Sequence, residues 1–374
     1  MFYRFGENNA QMKKSAAKLI GMPWDFASLF NESIRSLPER AMVKRDYMWA
    51  SELGKDYCSR YLRMHAQPMS NPINDRSRRK FVMGHVTEWI VGIILTLTGL
   101  LKSKQLRGEV TLPGMLRVSG KMDFIAGGDV NWAEAREKVK EVRSLFALSL
   151  DDMPPIIFHA IDRVLFRMEQ MFTRVPLKEY IIEVKSCSTF ISERLMKSGK
   201  PMPDHTLQAF HYTLANDIDS MLIYLCKDDA MCHQFEITKS KQLLKTYTED
   251  VATMTAYYNA SGKNFLKNMP PKAPEVEFDA GTYTFLKNSQ VAYSNYLTML
   301  YGYKDFDEFK YKWQYKVTAW NRVFKRMVRN DNITPANKII ITDMVKHFPE
   351  AEKYVAKAKA AGVFQKIDEK EEED

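Results

Sequence analysis

The stretch "YIIEVKS" (Tyr180–Ser186) combines the residues of a buried strand with two charges. Isoleucine and valine favour strands, and strand alternation places Glu183 and Lys185 together on one face, with apolar residues on the other. A charge is expensive to bury unless it is paired, hydrogen-bonded or bound to a metal. The stretch therefore predicts either a charged functional site on a buried strand or a salt bridge on an exposed face.

The composition indicates a folded globular protein with a basic surface. The chain has 374 residues, of which 45% are apolar, and a formal net charge of +9. The last nine residues, "KIDEKEEED", carry a net charge of −4, so the preceding 365 residues carry +13. Such an excess favours a polyanionic partner such as a nucleic acid, although a basic surface can also serve solubility alone.

Targeting and redox signals predict a soluble cytoplasmic protein without a membrane anchor. The N-terminal segment lacks the order of a signal peptide. The longest apolar run, "WIVGIILTLTGLL" (89–101), is too short to span a bilayer and predicts a buried core helix. Four scattered cysteines without a CxxC pair predict reduced thiols.

Changes of pattern divide the chain into segments. Helical spacing at 49–64 and 76–101 gives way to period-two patterning around a Pro113–Gly114 turn, and strand patterns return at 180–186 and 219–237 after amphipathic helices. We predict an N-terminal arm at 1–45, an α/β core at 46–267 with a helical insertion at 129–178, a helical C-terminal region at 268–365 and a disordered acidic tail at 366–374.

Polar residues stand on three further elements of this predicted core. "FVMGHVTEWIVG" places His85 and Glu88 one turn apart on a helix, and "SGKMDFIAG" sets Asp123 among apolar neighbours on the hairpin. The helix that follows the "YIIEVKS" strand carries Gln208 and Tyr212 at i and i+4, again on one face. Acids that project from a helix, a hairpin and a central strand can converge on one point.

An oxygen-rich site would result if Glu88, Asp123 and Glu183 met the main-chain carbonyl of Val184. Oxygen ligands suit Mg²⁺ or Mn²⁺, and either ion can activate water and offset charge on a phosphodiester's transition state. Lys185 would then orient or deprotonate the water, or stabilise the developing charge. Taken singly, the acids have other interpretations, because Asp123 could cap a turn and Glu88 could pair with basic residues of its own helix.

The four motifs, in this order, resemble the PD-(D/E)XK nuclease superfamily, in particular the branch with the RecB nuclease domain and the CRISPR-associated RecB-like exonucleases. Over roughly residues 49–240, "GKMDFI" is similar to the G-x-[IVM]-D motif, "IIEVKS" to [DE]-x-K-[ST], "QAFHY" to Q-x3-Y and "GHVTE" to G-x3-[HE]. The resemblance implies a restriction-endonuclease-like mixed sheet flanked by helices. It also implies a metal ligand at Glu88 with His85 beside it, while Gln208 and Tyr212 contact DNA or steady Lys185.

Two departures from the family pattern affect this interpretation. Asp123 and Glu183 are 60 residues apart, which predicts the helical insertion at 129–178 where a short hairpin is usual. Many relatives hold an iron–sulfur cluster through one upstream and three downstream cysteines. Cys58 has the upstream position, but no cysteine follows Cys232, so we expect no cluster.

The C-terminal run "FKYKWQYKVTAWNRVFKRMVR" interleaves aromatic and basic residues. Its aromatic residues recur at helical spacing and therefore predict a core face rather than a base-stacking surface; they are Phe309, Trp313, Trp320 and Phe324. Its basic residues share another face, which either contacts phosphates or is simply solvated; they are Arg322, Lys325, Arg326 and Arg329.

The sequence thus predicts a DNA nuclease that depends on one or two Mg²⁺ or Mn²⁺ ions. The resemblance favours an exonuclease that acts on DNA ends, encoded by a phage and located in the host cytoplasm, in recombination, repair or DNA degradation. The alternatives are a structure-specific endonuclease, an RNA nuclease and a DNA-binding or packaging accessory that has lost activity. A recombinase, a helicase or a single-strand-binding protein is a candidate partner, and an oligomer is compatible with the sequence.

Overall fold

The computed structural model describes residues 32–35, 42–97, 99–128, 131–148 and 178–364, with a few isolated positions between 159 and 170. They form two compact units. The first contains most residues up to Met269, and the second contains Asp56–Ser59, Pro68–Pro72 and the residues from Pro270 onward. Most of the predicted arm, the predicted tail and the predicted insertion after residue 148 lie outside the described residues. Within the described ranges, every helix is too short or too polar to traverse a lipid bilayer.

The elements of the first unit follow the predicted order of helix, hairpin, strand and helix. The strands are β1 (Tyr47–Trp49), β2 (Leu101–Lys104), β3 (Arg107–Val110), β4 (Arg117–Lys121), β5 (Phe124–Ala126), β6 (Tyr180–Cys187), β7 (Ser220–Cys226) and β8 (Cys232–Ile237). The helices are α1 (Tyr57–Met64), which contributes to both units, α2 (Asp75–Leu97), α3 (Trp132–Leu148), α4 (Thr189–Ser198), α5 (Pro203–Asn216) and α6 (Lys241–Asn259).

A five-stranded mixed sheet of order β2-β5-β6-β7-β8 forms the centre of this unit. Strand β6 pairs antiparallel with β5 and parallel with β7, while β2 and β8 lie at the two edges. The "YIIEVKS" stretch is therefore the middle strand, and its first residues are buried on both faces. The predicted mixed α/β sheet flanked by helices is confirmed.

The predicted hairpin around Pro113–Gly114 spans two sheets. Strand β4 pairs with β3 and β1 in a separate three-stranded sheet, whereas β5 pairs with β2 and β6 in the central one. The chain crosses from one sheet to the other at Met122 and Asp123, where main-chain bonds with Leu106 and Gln105 hold it in place. A residue at such a crossing lies beside the middle strand without being paired in either sheet, which suits a functional side chain.

The two faces of β6 pack against different helices. Ile182 and Val184 form one apolar cluster with Phe124, Ala126 and Val91 of helix α2. Glu183 and Lys185 face the opposite side, where helix α5 covers them. The charges of the strand therefore lie under a helix, and the exposed salt bridge that the sequence left open does not occur.

Helix α2 corrects the prediction of a buried core helix at 89–101. The helix ends at Leu97, and Leu101 already belongs to strand β2. One side packs on the sheet through Val91, but Trp89 on another side is 67% exposed. The segment is apolar around its whole circumference, so hydropathy alone could not distinguish the packed side from the exposed one.

The second unit is largely helical, as predicted, and in addition contains a β-hairpin. Its elements are β9 (Val276–Asp279), β10 (Thr284–Lys287), α7 (Ser289–Ala292), α8 (Leu297–Tyr301), α9 (Phe306–Arg329), α10 (Pro335–His347) and α11 (Ala351–Ala360). The side chain of Asn321 on α9 exchanges two hydrogen bonds with the main chain of Phe285, at 2.6 and 2.9 Å. The predicted core aromatics are all buried; they are Phe309, Trp313, Trp320 and Phe324.

Candidate functional site

Lys185, Glu183 and Gln208 form a closed ring of hydrogen bonds in the first unit. Lys185 Nζ donates to Glu183 Oε1 at 2.6 Å and to Gln208 Oε1 at 2.9 Å. Gln208 Nε2 donates to the same Glu183 oxygen at 2.7 Å. Glu183 and Lys185 are two positions apart on β6, so their side chains lie on the same face of the strand. Helix α5 packs over that face and contributes the side-chain amide of Gln208. The ring fixes the position of the Lys185 ammonium group.

Tyr212 connects this ring to the neighbouring sheet. Gln208 Nε2 donates a second hydrogen bond to the Tyr212 hydroxyl at 3.2 Å, and that hydroxyl donates to the carbonyl of Lys121 at 2.8 Å. The i, i+4 spacing of the amide and the phenol on α5 therefore joins strand β6 to strand β4. Gln208 and Tyr212 position the charged residues in this structure.

Glycines on β3 and β4 allow helix α5 to approach the sheet this closely. Gly108 and Gly120 lie opposite each other in the strand pair. A Cβ on Gly120 would lie 2.6 Å from the Cβ of Ala50 and 2.9 Å from the Tyr212 hydroxyl, and one on Gly108 would lie 3.0 Å from the Cβ of Ala215. The glycine of the "GKMDFI" motif therefore makes room for the tyrosine of the "QAFHY" motif.

Replacing Gly120 with alanine should lower the free energy of unfolding by about 1–3 kcal/mol, because the added methyl group overpacks the contact between β4 and α5. Gly84 of the "GHVTE" motif is the matched control. A Cβ there would meet only Ser186 Oγ, at 3.8 Å, and alanine is favoured over glycine inside a helix by up to about 1 kcal/mol. Urea unfolding of both variants checks this; a Gly120→Ala protein as stable as Gly84→Ala would contradict the crowding.

Asp123 is held at the crossing between the sheets by the main chain of β6. The Val184 amide donates to Asp123 Oδ2 at 2.8 Å. Burial and the nearby Glu183 carboxylate raise the pKa of Asp123 to about 8, against the lowering effect of the Val184 hydrogen bond. Glu88 adds a smaller effect in the same direction as Glu183. Three carboxyl groups therefore repel one another in this neighbourhood.

Glu183 is a fully buried acid with one oxygen that makes no hydrogen bond. Its Oε1 accepts two hydrogen bonds, but its Oε2 is buried without a partner. Burial raises the pKa of Glu183, with Lys185 opposing the shift. For Lys185, burial favours the neutral amine, but the Glu183 carboxylate outweighs burial and raises the pKa. Lys185 therefore carries a proton at neutral pH.

Glu88 pairs with Gln105 and His85 rather than with the residues of the ring. Glu88 Oε1 accepts a hydrogen bond from Gln105 Nε2 at 2.6 Å, and its other oxygen lies 3.6 Å from His85 Nδ1. The His85 side chain is 81% exposed. Across the described residues, no three His, Cys, Asp or Glu side chains come close enough together to enclose a metal ion. The structure brings together Asp123, Glu183, Lys185, Gln208 and Tyr212, with Glu88 near enough to act through its charge.

A second group of ionisable side chains near Lys185 was not predicted. Burial lowers the pKa of Lys55, against the attraction of Asp204, and the Lys185 charge adds to the lowering. Burial also lowers the pKa of His205 to about 4, against Asp204, and the Tyr224 hydroxyl lies 2.9 Å from its Nδ1. His205 is therefore neutral at pH 7, and Lys55 is a further ionisable side chain within electrostatic range of Lys185. No motif marks either residue, since Lys55 stands 130 positions before Lys185.

The N-cap of helix α5 is Met202, and Asp204 lies in the first turn of the helix. Pro203 takes the first helical position, because its fixed φ suits a helix start and its missing N–H is not needed there. Asp204 is thereby free to act electrostatically on Lys55 and His205.

Comparison with known proteins gave no match among family models and none among curated proteins. Among solved structures, the chain is similar to SSO0001, with 12% identity and a TM-score of 0.36 over 67% of this chain and 98% of that one. It is also similar to LHK-Exo, an alkaline exonuclease from Laribacter hongkongensis, with 12% identity and a TM-score of 0.28 over 58% and 89% of the chains. The structure of LHK-Exo in complex with dAMP is similar as well, with 13% identity and a TM-score of 0.32 over 57% of this chain and 91% of that one. Likeness at this level is too low to transfer function.

Proposed function

We propose that this chain is a metal-dependent nuclease of the RecB-like PD-(D/E)XK type that hydrolyses phosphodiester bonds in DNA. The observation that carries the proposal is the ring of Glu183, Lys185 and Gln208 beside Asp123. Two mutually repelling carboxyl groups and a protonated lysine, buried on the middle strand β6 and beside it, are costly for a structural role. Perturbed ionisable groups of this kind cluster at functional sites.

Asp123 and Glu183 offer two carboxylates to a divalent cation, and a third acid would have to move toward them, because no three such side chains cluster among the described residues. Glu183 Oε2 is buried without a partner, and the pKa of Asp123 is raised to about 8 partly by the nearby negative charge. A cation at this position would satisfy the unpaired oxygen and relieve the repulsion. Asp123, Glu183 and the carbonyl of Val184 would hold it, and Glu88 would join them by exchanging Gln105 for the ion. Bound Mg²⁺ or Mn²⁺ would lower the pKa of a water and offset charge on the phosphate.

Lys185 acts as a charged donor in this proposal. Its pKa is raised by Glu183, so at neutral pH the ammonium group can orient the attacking water or stabilise negative charge, but it has no free site to accept a proton. Gln208 holds the Lys185 and Glu183 side chains, and Tyr212 anchors Gln208 to β4. His85, whose side chain is exposed on α2, is available to contact the strand being cleaved.

Exonuclease action on linear DNA is the proposed mode, because the sequence motifs resemble those of end-processing enzymes. The remaining candidates are an endonuclease, an RNA nuclease and an inactive DNA-binding accessory. The presence of Asp123, Glu183 and Lys185 together favours an active enzyme over an inactive DNA-binding accessory.

The test is degradation of end-labelled linear DNA and covalently closed circular DNA, each with Mg²⁺, Mn²⁺ or a chelator. We expect nucleotide release from the linear DNA with either metal, none with the chelator, and intact circles throughout. Cleavage of the circles would favour an endonuclease. A protein that binds DNA but degrades neither substrate in either metal would overturn the proposal in favour of the accessory, and a single-stranded RNA substrate run in parallel separates the RNA nuclease.

A further inference from the structure

Helix α9 of the second unit has two different faces. It runs for 24 residues from the Asp305 N-cap, whose side chain accepts from the Glu308 amide, to Asn330 in the left-handed C-cap conformation. One face is buried in the core of the unit and includes Trp313, Trp320 and Phe324. The opposite face is exposed, so its residues are not selected by packing within the unit.

Six exposed residues form a continuous line on that face, which we call the outer stripe. They are Tyr311, Tyr315, Thr318, Arg322, Lys325 and Arg329. Their spacing of i, i+4, i+7, i+11, i+14 and i+18 keeps them on one side of the helix. At 1.5 Å per residue the stripe is about 27 Å long. Two aromatic residues occupy its N-terminal end, and three basic residues occupy its C-terminal end.

The two tyrosines of the stripe are exposed beyond what packing requires. Tyr311 is 72% exposed and Tyr315 is 68% exposed. Their ring centroids are 5.5 Å apart with the planes at 77°, so each ring supports the other while keeping a face open to solvent. Nucleobases stack on open aromatic faces of this kind.

The basic residues of the stripe differ from two lysines elsewhere on the helix, which have side-chain partners within the unit. Lys316 pairs with Asp343 at 2.9 Å, and Lys312 donates to the Tyr303 hydroxyl at 2.6 Å. On the stripe, Arg329 donates to a main-chain carbonyl, that of Phe364, and Lys325 lies 5.0 Å from the ring centroid of the same residue. Within the described chain, no carboxylate lies at ion-pair distance from the three stripe cations.

The net charge of α9 strengthens this contrast. The helix contains seven Lys and Arg residues and two acids, and both acids, Asp307 and Glu308, lie in its first turn. A favourable interaction with the helix dipole accounts for cations in the last turn, such as Arg329, but the dipole effect fades within one turn and does not account for Arg322. Among the residues that the structure describes, the stripe is therefore a cationic surface whose three cations form no ion pair with a carboxylate.

We propose that the outer stripe of α9 binds single-stranded nucleic acid, with bases stacked on Tyr311 and Tyr315 and phosphates neutralised by Arg322, Lys325 and Arg329. A single strand is the occupant that fits, because its unpaired bases can reach open aromatic rings while its backbone follows the cations. This binding activity is distinct from the proposed hydrolysis and is carried by the other unit of the chain. The sequence analysis left open whether the basic residues of this helix contact phosphates or are solvated, and it made no assignment for Tyr311 and Tyr315.

The experiment is fluorescence anisotropy of a labelled oligothymidylate with the full chain in a chelator, so that binding is measured whether or not the protein is a nuclease. We expect Tyr311→Ala combined with Tyr315→Ala to weaken binding at least tenfold, in line with the loss of stacking. Arg322→Gln combined with Lys325→Gln should reduce the slope of log Kd against log salt by about 1.4, since each phosphate contact contributes about 0.7 for a single strand.

The matched control is Lys346→Gln combined with Lys353→Gln, which removes the same charge from exposed positions on α10 and α11. We expect this control to change the affinity less than threefold. The proposal would be overturned if the control weakened oligothymidylate binding as much as the stripe variants do. It would also be overturned if the double tyrosine variant bound as tightly as the parent. Absence of oligothymidylate binding by the parent chain would also overturn the proposal. So would stripe variants that bind a duplex of the same length more weakly but bind the oligothymidylate as tightly as the parent does. Circular dichroism of each variant separates lost binding from lost folding.

Discussion

Replacing Lys185 with alanine should reduce the rate of metal-dependent DNA degradation by about 10²–10⁴-fold, the range for removing one positioned proton-transfer or charge-stabilising group. The ammonium group is held by Glu183 at 2.6 Å and by Gln208 at 2.9 Å, and its pKa is raised by Glu183. Truncation removes the charge at a fixed position, and water that fills the space does not restore it. Initial rates on end-labelled linear DNA at saturating Mg²⁺ or Mn²⁺ measure the effect.

Lys178→Gln is the matched control for this experiment. Lys178 stands just before strand β6 and forms ion pairs with Asp219 and Glu236 at the surface. Its replacement removes the same charge from the same part of the chain without touching the ring, so the rate should stay within threefold of the parent. If Lys185→Ala and Lys178→Gln degrade DNA at similar rates, Lys185 has no catalytic role. Thermal unfolding of both variants tests whether a lower rate reflects a lower folded fraction.

Periodicity was sufficient to place each pair of ring residues on a common face of its element. The two-residue spacing of Glu183 and Lys185 fixes their common face on any strand, and the four-residue spacing of Gln208 and Tyr212 fixes theirs on any helix. The structure pairs these two faces, with Gln208 donating to Glu183 at 2.7 Å. Local spacing determines which residues share a face, because that depends on backbone geometry alone, but it does not determine that the two faces meet.

Relations between distant parts of the chain were not available from spacing. The sequence contains no signal that Lys55 comes within electrostatic range of Lys185, or that Gln105 binds Glu88. The exposed side of α2 was missed for a related reason, because an all-round apolar helix has no preferred face in its sequence. These features depend on which elements pack together, and that choice involves the free energy of the whole fold.

The site also lowers the stability of the metal-free protein, and the effect depends on pH. The pKa of Asp123 is about 8 in the fold, whereas its ordinary value is 3.8. Between these values the folded protein binds more protons than the unfolded chain, so the free energy of unfolding falls as pH rises. The decrease is about 1.4 kcal/mol per pH unit within this window, and the curve is flat below and above it. Glu183, whose pKa is also raised, acts in the same direction.

Replacing Asp123 with asparagine should therefore stabilise the metal-free protein at pH 8 by a few kcal/mol and leave it nearly unchanged at pH 4, since about 1.4 kcal/mol is recovered per unit of pKa shift. The asparagine carbonyl can still accept the Val184 amide, which donates to Asp123 Oδ2 at 2.8 Å. Urea unfolding at pH 4, 6 and 8 in a chelator measures the change. Asp228→Asn is the control, because Thr189 lowers the pKa of Asp228 and this carboxylate stays charged across pH 5–8 in both states.

Divalent cations should reverse this order of stability. Mg²⁺ or Mn²⁺ that binds the folded state alone raises the free energy of unfolding by RT ln(1 + [L]/Kd), which is about 2.7 kcal/mol at a hundredfold excess over Kd. We expect this gain in the parent at pH 8, where Asp123 ionises, and little gain in Asp123→Asn, which should also lose DNA degradation. If the ions stabilise both proteins equally, Asp123 is not a ligand. If asparagine destabilises the metal-free protein at pH 8, the carboxylate serves the fold, and the unpaired Oε2 of Glu183 needs another explanation.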